Sequence, residues 1–236
     1  MSLALLFVCV ALPVSAQSIT VFAAASLRDA LTEAAQSYPE DVTFSFAGSG
    51  TLARQVAADA PADAIVLAHR DWANWLDTGG FIMPDSLRVV AGGQLVLIGA
   101  GDADDIPNPD DKTLTHALAQ GRLAMGQRDG VPAGTYAREW LTHIGAWQAL
   151  NPQLAETDNV RAALALVAAG AAPLGIVYAS DALAEPKVKV LYTIPPNTHA
   201  PIRYPAAALT PSGHAFVTFL TTPAAARIFQ KHGLTE

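Results

Sequence analysis

The chain has 236 residues, of which 51% are hydrophobic and only 15% charged. That balance supplies a core and excludes a disordered or low-complexity protein. Acidic residues outnumber basic ones, 21 to 14, for a net charge of −7. No stretch concentrates Lys or Arg, so neither a nucleic-acid groove nor an anionic membrane surface is expected.

The first feature in chain order is an export signal. Leu3–Leu12 is almost unbroken apolar sequence, Pro13 interrupts it, and Val14-Ser15-Ala16 offers the small residues of a cleavage site. The run is too short to span a bilayer as a helix. No Lys or Arg precedes it, so either the terminal amine supplies the positive charge or the true start lies upstream. The expectation is a signal peptide over residues 1–16, cleaved near Ala16, with the mature chain starting at Gln17 in a bacterial periplasm. The single cysteine, Cys9, falls inside this segment and lacks the small residues that precede a lipidated cysteine. The mature chain is then expected to carry no thiol, disulfide or cysteine-bound metal. With no second long apolar run, no membrane insertion is expected. The length suits one large domain or two lobes of about 100–110 residues.

Beyond residue 17 the pattern alternates short β-type runs with helical ones, the mark of an α/β protein with mostly parallel sheets. Ile19–Ala23 reads as a buried strand. A helix follows over Ser26–Tyr38, with Leu27, Ala30, Leu31, Ala34, Ala35 and Tyr38 on one face. Ser26 with Asp29 three residues on resembles a capping box. Val42–Ala47 is the next strand, Thr51–Ala60 the next helix, and Ala64–Ala68 a third strand. A helix over about Asp71–Thr78 is stopped by Gly79-Gly80.

A second series begins near Gln94. It predicts strands at Leu95–Ile98, Arg122–Met125, Gly175–Tyr178 and Val188–Tyr192. The helices fall at Thr113–Gln120, Thr135–Ile144 and Val160–Ala169. Gly101–Asp111 is an acidic surface loop. Pro-rich sequence over Pro195–Pro205 leads into Ala206–Leu209, and helices at about Ser212–Leu220 and Pro223–His232 complete the chain.

Enzyme motifs are missing. The six histidines form no H-x-x-x-H or H-E-x-x-H pair and read mostly as surface residues. There is no G-x-S-x-G elbow and no Walker A sequence. Gly48-Ser49-Gly50-Thr51-Leu52-Ala53 does fit G-x-G-x-x-A between a strand and a helix. A dinucleotide site also needs an acid at the end of the next strand, where the chain reads Leu67-Ala68-His69. The same turn has another physical use. A helix N-terminus offers free N–H groups and a partial positive charge, and so binds anions without a cationic side chain. Ser49 and Ser26 both sit at strand-to-helix turns, on the sheet edge where α/β proteins bind ligands. Taken alone, each serine is more often an ordinary N-cap, and two in consecutive units of one sheet favour binding.

Several segments then agree in order and spacing. They are Val21-Phe22-Ala23-Ala24-Ala25-Ser26-Leu27, Ser49-Gly50-Thr51-Leu52-Ala53-Arg54-Gln55, Val131-Pro132-Ala133-Gly134, Asp158-Asn159-Val160-Arg161 and Pro173-Leu174-Gly175-Ile176-Val177-Tyr178. With them the whole mature chain resembles the periplasmic molybdate-binding proteins of ABC-type importers. The resemblance implies a two-lobe periplasmic binding protein fold of type II, with the ligand cleft between the lobes. Lobe 1 would be 17–93 plus 205–236 and lobe 2 would be 94–204, with crossing strands near Leu95–Ile98 and Pro205–Leu209 as the hinge. It implies a tetrahedral oxyanion held by hydroxyls and main-chain N–H groups alone: Ser26 and Ser49 with both, Ala133 and Val160 with N–H groups, Tyr178 with its hydroxyl. It further implies molybdate or tungstate as cargo, no cofactor, no free metal cation, no reaction, a monomer, and a membrane permease as partner. Gly48 and Gly50 stand where many relatives have serines, which implies a more mobile loop, and His69 stands where an acid is usual. Sulfate, phosphate or another small anion remains open as cargo, as does an exported nucleotide-dependent enzyme.

Overall fold

The computed structural model of the protein describes residues 18–235. The expected signal segment, Cys9 and the expected new terminus at Gln17 lie outside the described residues. The first run of elements is β1 (Ile19–Ala24), a 3-10 turn (Ala25–Leu27), α1 (Arg28–Ala35), β2 (Val42–Ala47), α2 (Ser49–Ala57), β3 (Ala64–Val66), α3 (Arg70–Thr78) and β4 (Arg88–Gly92). The second is β5 (Leu95–Ala100), α4 (Asp111–Leu118), β6 (Leu123–Gly126), α5 (Pro132–His143), α6 (Trp147–Leu150), β7 (Leu154–Thr157), α7 (Val160–Ala168), β8 (Leu174–Tyr178), α8 (Ala179–Leu183) and β9 (Val188–Thr193). The chain returns through β10 (Arg203–Ala208), α9 (Pro211–Leu220) and α10 (Pro223–Lys231).

The strands form two five-stranded sheets, in order β2-β1-β3-β10-β4 and β7-β6-β8-β5-β9. The chain is therefore α/β with helices flanking both sheets. Most ladders among β1, β2 and β3 and among β6, β7 and β8 are parallel. Only β10 in one sheet and β5 in the other run against their neighbours. Each opposed strand has just arrived from the other sheet: β4 leads into β5 through Gly93-Gln94, and β9 leads on to β10. Gln94 and Ile194 join the two crossings, with Gln94 Nε2 donating to the Ile194 carbonyl at 2.6 Å and the Ile194 N–H donating to Leu95 at 3.0 Å.

Both faces of the first sheet are covered, as buried parallel strands require. Ile19, Val21 and Ala23 of β1, Ala64 and Val66 of β3, and Ala206 and Ala208 of β10 join the main core. Their alternates Phe22, Ile65 and Ala207 face a second cluster with Leu52, Val56 and Leu76 of α2 and α3. Several helix starts carry side-chain caps. Asp110 and Thr113 form a capping box on α4, and Asn159, Thr210 and Thr222 cap α7, α9 and α10.

Several expectations are corrected. Ser26 does not cap a helix with Asp29: it lies in the 3-10 turn, and α1 starts at Arg28 without a side-chain cap and ends at Ala35. Helix α2 begins at Ser49, two residues early, with Gly48 as its N-cap, and stops at Ala57 because Asp59 turns to φ 59°. Strands β4 and β7 were not expected. Both are sheet edges, short and half-exposed, so they lack the alternation that marks a strand. Among the histidines, His116, His143 and His214 are exposed, but His69, His199 and His232 are partly buried.

Candidate functional site

Four chain turns meet where the two sheets face each other. Strand β1 ends in the turn that carries Ser26. Strand β2 ends at Ala47, and Gly48 turns the chain into α2 with Ser49 as its first residue. From the second sheet, Pro132 and Ala133 open α5, and Asn159 caps α7 so that Val160 is its first residue. Tyr178 closes β8. Ser26, Ser49, Ala133, Val160 and Tyr178 all line one small cavity between these turns, with about 10 Å³ open to the centre of a water-sized sphere. That is below the roughly 300–1,000 Å³ of sites for drug-sized ligands, and so fits a small ion better than a nucleotide.

The chemistry of the wall is one-sided. Among the described residues, no Lys, Arg, His, Asp or Glu lines the cavity. Three helices, α2, α5 and α7, put their first residues on its wall, and a helix N-terminus carries free first-turn N–H groups and a partial positive charge. Among the described residues, the buried Tyr178 hydroxyl has no hydrogen-bond partner and the buried Ser26 hydroxyl has only the Tyr204 hydroxyl beside it, an arrangement that costs about 1–3 kcal/mol per unsatisfied group unless a ligand completes it. The Ser49 oxygen accepts the Ala68 N–H at 3.0 Å, which leaves its own O–H free to donate inward. The Asn159 side-chain carbonyl is engaged by the Ala162 N–H at 3.0 Å. Burial raises the Tyr178 pKa well above 10, so its hydroxyl keeps its proton and remains a donor. A ring of donors without counter-cation suits a fully ionised oxyanion.

The halves of this wall touch. The Gly50 N–H donates to the Gly130 carbonyl at 3.2 Å, and the Tyr136 hydroxyl to the Ala68 carbonyl at 3.3 Å. His69 stacks on Tyr136 at 4.9 Å between centroids, with His199 on the ring's other neighbour position at 5.7 Å. The cleft is closed. The two glycines of the α2 turn therefore have a packing role: a Cβ at Gly48 would collide with the Asp158 carbonyl, and one at Gly50 with the Gly130 carbonyl.

Sequence reasoning missed Asn159, Tyr136 and Ala68. Asn159 was legible as an N-cap before an apolar helix. Tyr136 and Ala68 carried no signal, since an aromatic in a helix and an alanine ending a strand are ordinary core residues. Among the described residues, no group of three or more His, Cys, Asp or Glu is placed to hold a metal ion, and no helix is long and apolar enough to cross a membrane.

Comparison with known proteins places the chain. The family model for bacterial extracellular solute-binding proteins matches residues 19–235. The molybdate-binding protein ModA of Escherichia coli K12 is 42% identical over 229 residues, which cover 92% of this chain and 88% of that one. The protein of the same name from Haemophilus influenzae is 36% identical, over 92% of this chain and 89% of its own. Among solved structures, the Azotobacter vinelandii periplasmic molybdate-binding protein superposes with a TM-score of 0.80 at 22% identity, over 92% of this chain and 99% of that one. At that identity the superposition speaks for the fold.

Proposed function

The chain belongs to the bacterial extracellular solute-binding proteins, and from that premise we propose that it captures molybdate for delivery to an ABC importer. The observation that carries this reading is the closed, donor-only cavity lined by Ser26, Ser49, Ala133, Val160 and Tyr178. The homology to molybdate-binding proteins supplies the cargo. Tungstate, an oxyanion of the same charge and shape, is included in the reading. The mature protein works as a periplasmic monomer after loss of residues 1–16, without catalysing a reaction. The lobes are 17–93 with 205–236, and 94–204. The hinge lies where β4 passes into β5 and β9 into β10.

The net charge of −7 does not oppose an anionic cargo. Those charges are spread over a surface and screened beyond about 8–10 Å, whereas N–H dipoles act at contact in a desolvated cavity. About seven charge-assisted hydrogen bonds of roughly 1.5–3 kcal/mol each amount to about 10–20 kcal/mol gross. Immobilisation and closure cost several kcal/mol, which leaves room for sub-micromolar affinity.

A thermal-shift series tests the reading. Molybdate at a hundredfold excess over its Kd stabilises by about 2.7 kcal/mol, or roughly 5–10 °C for a chain of this size. Phosphate carries a proton near neutral pH and needs an acceptor that the cavity does not offer, so it should stabilise poorly. Sulfate is fully ionised but smaller, and should shift less than molybdate. Equal shifts from phosphate and molybdate would overturn the donor-only site, and a shift from nucleotides alone would favour the enzyme alternative.

A further inference from the structure

Arg161 is the second residue of α7, directly after Val160, and it does not line the cavity. Its guanidinium spans two carboxylates. Nε donates to Asp181 Oδ1 at 2.6 Å, and one terminal nitrogen donates to Asp29 Oδ2 at 2.6 Å. Asp181 is fully buried, and its second oxygen accepts the Tyr178 N–H at 3.2 Å. Asp29 lies on α1, three residues beyond Ser26. One side chain thus ties together the backbone at three of the five cavity positions: Val160 by chain connection, Tyr178 through Asp181, and the Ser26 turn through Asp29.

We propose that Arg161 is a positioning residue that clasps the closed cleft, holding Val160 and Tyr178 of one lobe against the Ser26 turn of the other through its ion pair with Asp29. The two halves of the bridge differ in what they need. Arg161 and Asp181 both pack with the second sheet, so their pair survives opening. Asp29 belongs to the first sheet's helices, so the Arg161–Asp29 pair exists only while the lobes are together. The chemistry agrees with this division. Near neutral pH Asp181 offsets the guanidinium charge whether the lobes are together or apart, so opening leaves no bare cation. Asp29 is 41% exposed and Arg161 21%, so Asp29 reaches water readily when the pair parts. A fork of planar donors is suited to two carboxylates at once, and a lysine is not. The bridge directs the guanidinium to two protein carboxylates rather than to the cavity.

This inference rests on the cavity being the anion site, and two readouts keep it separable from that reading. The first is molybdate release by stopped-flow tryptophan fluorescence, in wild type and Asp29→Asn. Asp29 is half-exposed on a helix, so the substitution should lower the ligand-free melting temperature by no more than about 4 °C. Release should accelerate about 5- to 20-fold, between the values for an exposed ion pair and a charged hydrogen bond, while association changes little. Arg161→Lys keeps Asp181 neutralised but cannot span both carboxylates, and should accelerate release similarly. The second readout needs no ligand: small-angle scattering of the ligand-free protein should show Asp29→Asn more expanded than wild type. Wild-type release together with wild-type scattering for Asp29→Asn overturns the clasp and leaves the cargo untouched. Failure of wild type to bind molybdate, with Asp29→Asn still expanded, sinks the cargo and leaves the clasp standing.

Discussion

The Ala68 N–H donates to the Ser49 oxygen at 3.0 Å, and this one bond sets what Ser49 can do. With one lone pair of its oxygen engaged from behind, the hydroxyl proton is free to point toward the cavity. Ser49→Ala removes that donor and keeps the main-chain N–H, so affinity should fall by about 1.5–3 kcal/mol, or roughly 10–150-fold. Ser49→Asp places a carboxylate against a dianion with no cation lining the cavity to offset it, and binding should vanish. Calorimetry on both variants, with circular dichroism as a folding control, decides. A folded Ser49→Asp protein that binds molybdate like wild type would place the site elsewhere.

Val160 offers a cleaner deletion of a backbone donor. It is the first residue of α7, where proline is best tolerated, and Asn159 before it is extended at φ −158° and ψ 164°, as a residue preceding proline prefers. Val160→Pro should therefore fold, at a cost of about 1 kcal/mol for the smaller side chain. It removes one N–H, so affinity should drop by roughly 10–150-fold. Val160→Ala is the control, because it trims the side chain and keeps the N–H. If both variants bind equally, the Val160 N–H is not a contact.

Gly48 separates closure from folding. Its φ of −67° and ψ of 140° suit any residue, so alanine costs the backbone nothing. The atoms a Cβ would meet, the Asp158 carbonyl and the Val131 side chain, both belong to the second sheet's side of the cleft. Gly48→Ala should leave the ligand-free melting temperature within about 2 °C of wild type, yet at least halve the shift produced by molybdate. Equal shifts in the two proteins would mean that this approach does not limit closure.

His69 predicts an acid limit. Its ring is 12% exposed and stacked on Tyr136, its Nδ1 accepts the Asp71 N–H at 3.1 Å, and its Nε2 is buried without a partner. Burial lowers its pKa below the ordinary 6.5, against the smaller opposing pull of Asp71 and Glu139. The sign follows: a neutral folded form and a protonated unfolded form make this contribution complete above about pH 6.5, and it is lost as pH falls through the depressed folded value. Melting temperature should decline on acidification below pH 6.5, and His69→Gln should flatten that decline. An unchanged slope in His69→Gln would assign the loss to other groups.

Much of this was legible from local pattern. Strands β1, β2, β3, β5, β6, β8 and β9 fall where apolar runs or strict alternation place them, because both faces of a buried strand must be apolar and one face of a half-buried one. The longer helices fall where their apolar faces place them, the short α6 and α8 were not expected, and the ends of α1 and α2 differ. The α1 and α2 starts depend on how the turns seat at the cavity, and Ser26 with Asp29 looks like a cap only until the 3-10 turn separates them. Edge strands β4 and β7 had no signal, since half of each faces water.

The sequence alone determined the α/β class, the absence of recognisable enzyme motifs, and the two serine turns as anion-facing candidates, because these depend on periodicity and on chemistry carried within a few residues. The five cavity positions came from resemblance, not from their own side chains: alanine and valine have nothing polar to show, and their N–H groups matter only where a helix begins. Tertiary structure decided the rest. It freed the Ser49 hydroxyl by an N–H from β3's end, left, among the described residues, the Tyr178 hydroxyl without a partner and the Ser26 hydroxyl with only that of Tyr204 beside it, turned Gly48 and Gly50 into points of contact between sheets, and brought Arg161 within 2.6 Å of an aspartate 132 residues away. Those relations join residues far apart in the chain, and no local period or spacing records which distant backbone a side chain will meet.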